Sequence, residues 1–462
     1  MITVFSRELF VTEIAQTKTG FSYTQEELQQ MTADVLALAR SLGASAAETE
    51  VSLGMGQNVS VRMGETETIE YNRDKGVSVS VYFGQQKGHA STSDLSPQAI
   101  QDTVKAACSI ARYTAKDEFC GLADKDLMAK EIPFLDLYHH WPISVEEAIE
   151  MAKECESYAL GVDERITNTE GASVSTYEGM FVYANSNGFS GGYASSRHGL
   201  SCSVIAEDGP EGMQRDYWYT SARAASDLES AKHVGQMAGN RTIKRIGSKK
   251  IKTAKVPVIF ESTLASGLIS HLISAVSGGS LYRKSSFLLD SLGKQVMSPN
   301  VTIEELPHIR KGLASSPFDN EGVATRSRTL VQDGILQGYV LSSYSARKLG
   351  MVTTGNAGGN HNLIVKPGDM NLEALLKYMG TGLVVTELLG HGVNMVTGDY
   401  SRGAAGYWVE NGVILHPVEE ITIAGNLREM FMQILAVGND VLIQGSKQVG
   451  SILVESMTVA GE

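Results

Sequence analysis

Two stretches of the chain repeat one order of signals, and that order restricts the fold more than any other feature. Thr24 with Glu27, and Ser144 with Glu147, form capping boxes in which a hydroxyl and a carboxylate satisfy the first N–H groups of a helix. After the first box, Leu28, Met31, Val35, Leu38 and Leu42 recur at helical spacing until Gly43 ends the run; after the second, a helix is expected to about Leu160. Short alternating segments follow each helix: 48–53, 58–63, 66–71, 77–83 and 88–93 in the first stretch, and 172–177, 180–184, 189–195 and 200–206 in the second. Asn72, Arg73, Asp74, Lys75 and Gly76 are the residue types of a chain reversal, and Asn185, Ser186, Asn187 and Gly188 occupy the matching place. Each stretch closes on a helix. Ser96 and Pro97 open the first, with Ile100, Val104, Ala107 and Ala111 facing inward, and the second spans about 225–245. Helix, antiparallel sheet, helix thus occurs twice, the pattern of an internal duplication in an α+β layer with its helices on one face.

The polar and basic segment 247–255 reads as a boundary. Three parts are expected: an N-terminal extension 1–23, an α+β domain 24–246, and a strand-rich domain 247–462 of curled mixed sheets. The last part is marked by tight turns at Asp333-Gly334, Asn411-Gly412, Gly425-Asn426 and Gly438-Asn439, with helices over 264–276 and 372–380 and a closing strand over 450–459. A chain of 462 residues has length for two large domains or three smaller ones, and its core requires neither disulfide nor structural metal. Cys108, Cys120, Cys155 and Cys202 show no CxxC and no metal-type spacing, so they read as reduced core thiols. With 39 basic against 52 acidic residues the net charge is −13, which argues against nucleic acid as a partner; the small basic cluster at 244–252 reads as a linker. Arg7, Glu8 and Glu13 precede any long apolar run, unlike a secretory signal. Residues 262–282 carry no Asp, Glu, Lys or Arg, but their Ser and Gly content and His271 indicate a buried helix, not a bilayer span. The cytoplasm is the expected compartment.

The helix over 264–276 divides cleanly. Leu264, Ala265, Leu268, Ile269, Leu272, Ile273, Ala275 and Val276 fill one half of the wheel, and Ser266, Gly267, Ser270, His271 and Ser274 the other. The small, uncharged half suits a groove or a partner as well as solvent. His271 is its one titratable group, and a lone histidine reads as a hydrogen-bonded structural residue. Other arrangements carry less. Glu387 and His391 stand four apart but in a Gly-broken segment without a third ligand, and His139-His140 reads as a surface loop. No Gly-x-Ser-x-Gly elbow has the right context, and Gly355-Asn356-Ala357-Gly358-Gly359-Asn360 lacks the Lys-Ser/Thr of a phosphate loop, leaving a flexible turn or a loop beside substrate. Asp399 and Arg402 read first as a structural pair and second as substrate contacts.

Several motifs in one order carry a resemblance: Gly279-Ser280-Leu281-Tyr282-Arg283-Lys284, Asp319-Asn320-Glu321-Gly322-Val323, Asp333 to Tyr339, Thr397-Gly398-Asp399-Tyr400-Ser401-Arg402-Gly403-Ala404, and Val437-Gly438-Asn439-Asp440. From about residue 24 to the end, the chain resembles the TldD/PmbA family, and within it the PmbA branch, also called TldE. TldD-like chains carry HExxxH on this helix and a late Cys, the two His and the Cys holding zinc while the Glu serves as base. Counted back from Arg283 and Lys284, those positions hold Ser270, His271 and Ala275, and no Cys follows Cys202. The resemblance therefore implies a chain without catalytic residues or metal of its own, with Arg283, Lys284, Asp399, Tyr400, Ser401 and Arg402 bordering substrate or a chamber. It further implies zinc in a TldD-like partner, a cytoplasmic two-chain metallopeptidase that acts on unstructured peptides, and a homodimer when the chain is isolated. The alternative it leaves open is a non-enzymatic regulator of DNA gyrase or of a toxin–antitoxin system.

Overall fold

The computed structural model describes residues 20–209 and 212–461. Arg7, Glu8 and Glu13, and with them most of the expected 1–23 extension, lie outside the described residues. The first half runs α1 (Gln25–Ser41), β1 (Ala46–Arg62), β2 (Glu65–Phe83), β3 (Gln86–Thr92), α2 (Pro97–Tyr113), then α3 (Val145–Leu160), β4 (Ile166–Asn185), β5 (Ser190–Asp208), β6 (Gly212–Ala222) and α4 (Ala231–Ile243). Both capping boxes form, at Thr24 and Ser144. The helix-sheet-helix order does occur twice, and the two sets of three strands join through β1 and β4 into one antiparallel sheet, β3-β2-β1-β4-β5-β6. Leu28, Val35, Val104 and Ala107 of α1 and α2 cover one half of a face; Ala148, Ala152, Val234 and Ala238 of α3 and α4 cover the other half.

The expected short strands are halves of long ones. Segments 48–53 and 58–62 belong to β1, with Met63 beyond its end, and 66–71 and 77–83 to β2. Asn72 to Gly76 do not reverse the chain; they are paired in register with Ser52 to Gly56. An uninterrupted ladder on both sides of the segment outweighs its local turn preference. The reversal lies instead at Met63 and Gly64, where φ values of +51 and +76 give the left-handed two-residue hairpin turn. Glu156, 1 % exposed on α3, accepts both turn N–H groups at 2.9 and 2.7 Å. Asn185 to Gly188 do form a turn, and β6 is a strand that the alternation did not show.

The second half contains β7 (Ala254–Phe260), α5 (Ser262–Ala275), α6 (Gly278–Tyr282), β8 (Ile303–Leu306), β9 (Arg328–Gln332), β10 (Ile335–Leu336), α7 (Ser343–Lys348), β11 (Asn362–Val365), α8 (Leu372–Met379), β12 (Gly382–Leu389), β13 (Asp399–Glu410), β14 (Val413–Asn426), α9 (Leu427–Met432), β15 (Ile434–Val437), β16 (Lys447–Gln448) and β17 (Ile452–Ala460). Two mixed sheets result, β10-β9-β8-β11-β16 and β14-β13-β12-β7-β17-β15. The larger one curls until β14 also meets β17, Thr422 to Ala424 against Thr458 to Ala460. Apolar residues of α5 pack on one of its faces, beside Phe260, Val385 and Val454, while α8 packs on the other beside Ile259 and Val384. Asn411-Gly412 and Asp333-Gly334 are turns with positive φ, whereas Gly425-Asn426 is no tight turn: it ends β14, and the Asn426 side chain caps α9.

The halves meet at several places, among them an aromatic cluster and an ion-pair cluster. Phe181 and Tyr193, on the helix-free face of the first sheet, pack edge-on against Phe318. Near α4, Arg241 pairs with Asp216 and Glu261, and Arg245 with Asp216 and Glu387. All four cysteines are free thiols; Cys108, Cys155 and Cys202 are buried as expected, but Cys120 is only half-buried, its Sγ–H donating to the Gln85 carbonyl. Among the described residues no helix is long and apolar enough to cross a membrane.

Candidate functional site

The division of α5 is real: Ala265, Leu268, Ile269, Leu272 and Ala275 are buried, and Ser270, His271 and Ser274 lie on the opposite side. Ser270 is committed to its own helix, its Oγ–H donating to the Ser266 carbonyl at 2.8 Å. Ala275 is a fully buried methyl group. His271 departs from expectation, since it forms no hydrogen bond among the described residues. It meets the Tyr400 ring edge-on, 6.0 Å between centroids. Burial, and then the Arg402 guanidinium, hold its pKa below the usual imidazole value, so the ring is neutral at pH 7.

Tyr400 and Arg402 are alternate residues of β13 and share the face that packs toward α5. Tyr400 is 2 % exposed and also stands edge-on to Phe260. Its hydroxyl and Arg402 Nε are both buried without a hydrogen-bond partner among the described residues. Burial pushes the Tyr400 phenol up to about 12; the Arg402 guanidinium acts against that shift through its charge and by approaching the phenol oxygen, without reaching hydrogen-bond distance through Nε. The expected pairing of Asp399 with Arg402 does not form, because residues three apart on a strand point to opposite faces. Asp399 is exposed and accepts from Thr397 and Asn426, and Ser401 is exposed beside it. Arg402 makes one long contact, Nη2 to the Leu388 carbonyl at 3.4 Å. Arg283 and Lys284 are exposed beyond α6, with Arg283 lying over the Tyr282 ring. Of the residues singled out in the sequence, the fold therefore gathers His271, Tyr400 and Arg402, and sends the others elsewhere.

Zinc does not suit this place. A hydroxyl already given to its helix, one imidazole beside a guanidinium and a methyl group offer no tetrahedral donor set. Among the described residues no group of three or more His, Cys, Asp or Glu is placed to hold a metal ion. Glu387 is an ion-pair residue of β12, and His391 is exposed beyond the strand. His140 is at the surface as expected, yet its Nδ1 meets the buried Glu178 at 2.7 Å. The glycine-rich loop is pinned, not flexible: Asn356 is buried against Glu305, Arg328 and the Gly359 carbonyl.

A cavity of about 500 Å³ between the halves was not visible in the sequence. Glu48 and Glu50 of β1 line it together with Tyr82, Asp117, Tyr183, Glu321 and Tyr344. Tyr82 and Tyr183 donate to Glu48 at 2.7 and 2.9 Å, and Tyr344 donates to Asp117 at 2.7 Å. Burial raises the Glu50 carboxyl above its usual range. Asp319, 3 % exposed, accepts the N–H groups of Glu321, Val323 and Ala357 and so shapes the loop that brings Glu321 to the cavity. Two lining segments had been singled out in the sequence, Asn320 and Glu321 in the Asp319–Val323 motif and Ala357 in the glycine-rich loop read as a turn or a loop beside substrate, but nothing in the sequence set them opposite β1.

Comparison with known proteins agrees with this architecture. The PmbA/TldA metallopeptidase family matches in three parts: domain 1 over residues 54–111, the central domain over 138–246 and the C-terminal domain over 253–461. The chain is 53 % identical over 416 residues to the Metalloprotease PmbA of Escherichia coli, covering 90 % of this chain and 92 % of that one. A Bacteroides thetaiotaomicron structure, described as a candidate modulator of DNA gyrase, superimposes with a TM-score of 0.90 at 31 % identity over 95 % of this chain and all of that one. TldE of Thermococcus kodakarensis shares the fold, with a TM-score of 0.80 at 19 % identity over 93 % of this chain and all of that one. Matching domains along its length and close identity to a PmbA protein place the chain in the TldD/PmbA family, on the PmbA branch.

Proposed function

We propose that this chain is the zinc-free subunit of a two-chain cytoplasmic metallopeptidase, in which a TldD-like partner carries the metal and the substrate is an unstructured peptide. The observation that carries the reading is α5: it is built into the core of a family metallopeptidase fold, yet Ser270, His271 and Ala275 offer a single imidazole beside a guanidinium and no set of zinc ligands. A subunit with no hydrolytic centre still serves such an enzyme by walling off a chamber that folded proteins cannot enter. It also offers outer strands such as β3 and β6, on which an extended chain can pair through its backbone.

The test is a peptidase assay on this chain, on a TldD-like chain and on their mixture, with zinc measured in each. Cleavage is expected in the mixture alone, with zinc following the partner. Equal cleavage by the TldD-like chain without this one refutes the reading. A second reading, a non-enzymatic gyrase regulator, draws on the description of the Bacteroides neighbour. It requires direct binding to gyrase without cleavage, measurable by calorimetry.

A further inference from the structure

We propose that His271, Tyr400 and Arg402 form a binding site for a carboxylate, the group that a peptide presents at its C-terminus. The Tyr400 side chain is almost wholly buried, and among the described residues neither its hydroxyl nor Arg402 Nε, two residues along the same face of β13, is within hydrogen-bond distance of a partner, although the guanidinium lies near the phenol. His271 adds a third polar group at the edge of the Tyr400 ring, also without a hydrogen bond among the described residues. The guanidinium can only donate, whereas the phenol and the neutral imidazole can each donate or accept, so Arg402 Nε is the group that requires an acceptor and the other two can turn a proton toward the same ligand. Unpaired buried donors are rare in folded chains, and a ligand that accepts from them removes the penalty.

Charge selects an anion over a neutral acceptor. Arg402 forms no ion pair among the described residues, and the carboxylate next to it in sequence, Asp399, faces away and is occupied by Thr397 and Asn426. A planar carboxylate suits Nε of a guanidinium together with a phenol O–H, whereas a cation would meet like charge. The neighbouring hydroxyls do not compete, since Ser270 and Ser274 both donate to carbonyls of their own helix. The His271 face of α5 is open one turn away, where a Cβ added at Gly267 would meet nothing within 4 Å. The carboxylate follows from the donors; its assignment to a peptide rests on the peptidase reading above.

The experiment is calorimetric titration of the purified chain with N-acetyl-trialanine as the free acid, with its C-terminal amide, and with acetate as competitor. Tyr400→Phe removes the hydroxyl, and Arg402→Lys keeps the charge but removes Nε. The free acid is expected to bind at least about tenfold tighter than the amide and to be displaced by acetate. Both variants are expected to lose about tenfold or more while melting like the parent. Equal binding of acid and amide, no binding of the acid, or unchanged binding in Tyr400→Phe overturns the proposal. Acetate that binds where the peptide acid does not overturns the assignment to a peptide terminus. Neither cleavage nor a partner enters this measurement, so its failure is distinct from failure of the mixing assay.

Discussion

Replacing Glu387 by Gln removes one charge from the ion-pair cluster that ties α4 to the second half of the chain. Glu387 Oε2 accepts from Arg245 Nη2, and Oε1 stands 3.9 Å from Arg215. The Arg245 and Glu387 side chains are 12 % and 22 % exposed, between a surface pair, worth about 0–1 kcal/mol, and a buried one, whose rupture costs about 3–5 kcal/mol. Arg245 retains Asp216 at 3.7 Å after the substitution, which lowers the cost further. A loss of about 2 kcal/mol follows, equivalent to roughly 4–8 °C for a cooperative unit of a few hundred residues. Differential scanning calorimetry at neutral pH measures it, and a cycle with Arg245→Met isolates the pair, with an expected coupling of about 1–2 kcal/mol. Burial limits salt screening, so most of the difference should persist at high ionic strength. A melting temperature within about 1 °C of the parent, or no coupling in the cycle, refutes the reasoning. Metal content that falls with Glu387→Gln would instead revive a ligand role for this residue.

Three further outcomes are expected. Glu156→Ala deprives the Met63 and Gly64 N–H groups of a buried carboxylate, and urea unfolding should show a loss of about 3 kcal/mol; a change under about 1 kcal/mol would show that water replaces it. Burial pushes the Asp319 carboxyl up to about 6 from an ordinary 3.8, so between these values the folded chain holds a proton that the unfolded chain has released. Stability should fall as pH rises from about 4 to 6, by up to about 3 kcal/mol relative to Asp319→Asn; a flat difference curve between the two proteins contradicts this. Tyr400→Phe deletes an unpaired buried hydroxyl and should leave the melting temperature unchanged or raise stability by about 1 kcal/mol; a loss of that size would mean that the hydroxyl is bonded in solution.

Local chemistry determined the helices and the fold class. Thr24, Ser96 and Ser144 cap their helices because a side-chain oxygen satisfies an N–H group two or three residues on, and every atom involved lies within one turn of chain. The apolar stripe of α5 was legible for the same reason, and Ser270, His271 and Ala275 are read directly from the sequence. Strand lengths and partners were not. Asn72 to Gly76 look like a turn until β1 is laid beside them, because a ladder hydrogen bond depends on a residue distant in the chain. The same limit governs both sites. Nothing in the spacing of His271 and Arg402 shows that curling of the β13 sheet brings a guanidinium to the imidazole, nor that the Asp319 loop closes a cavity over Glu48 and Glu50. Sequence alone settled which groups this chain possesses; tertiary structure decided which of them meet and which are left unpaired in the interior, because burial and charge proximity are properties of neighbours in space and not along the backbone.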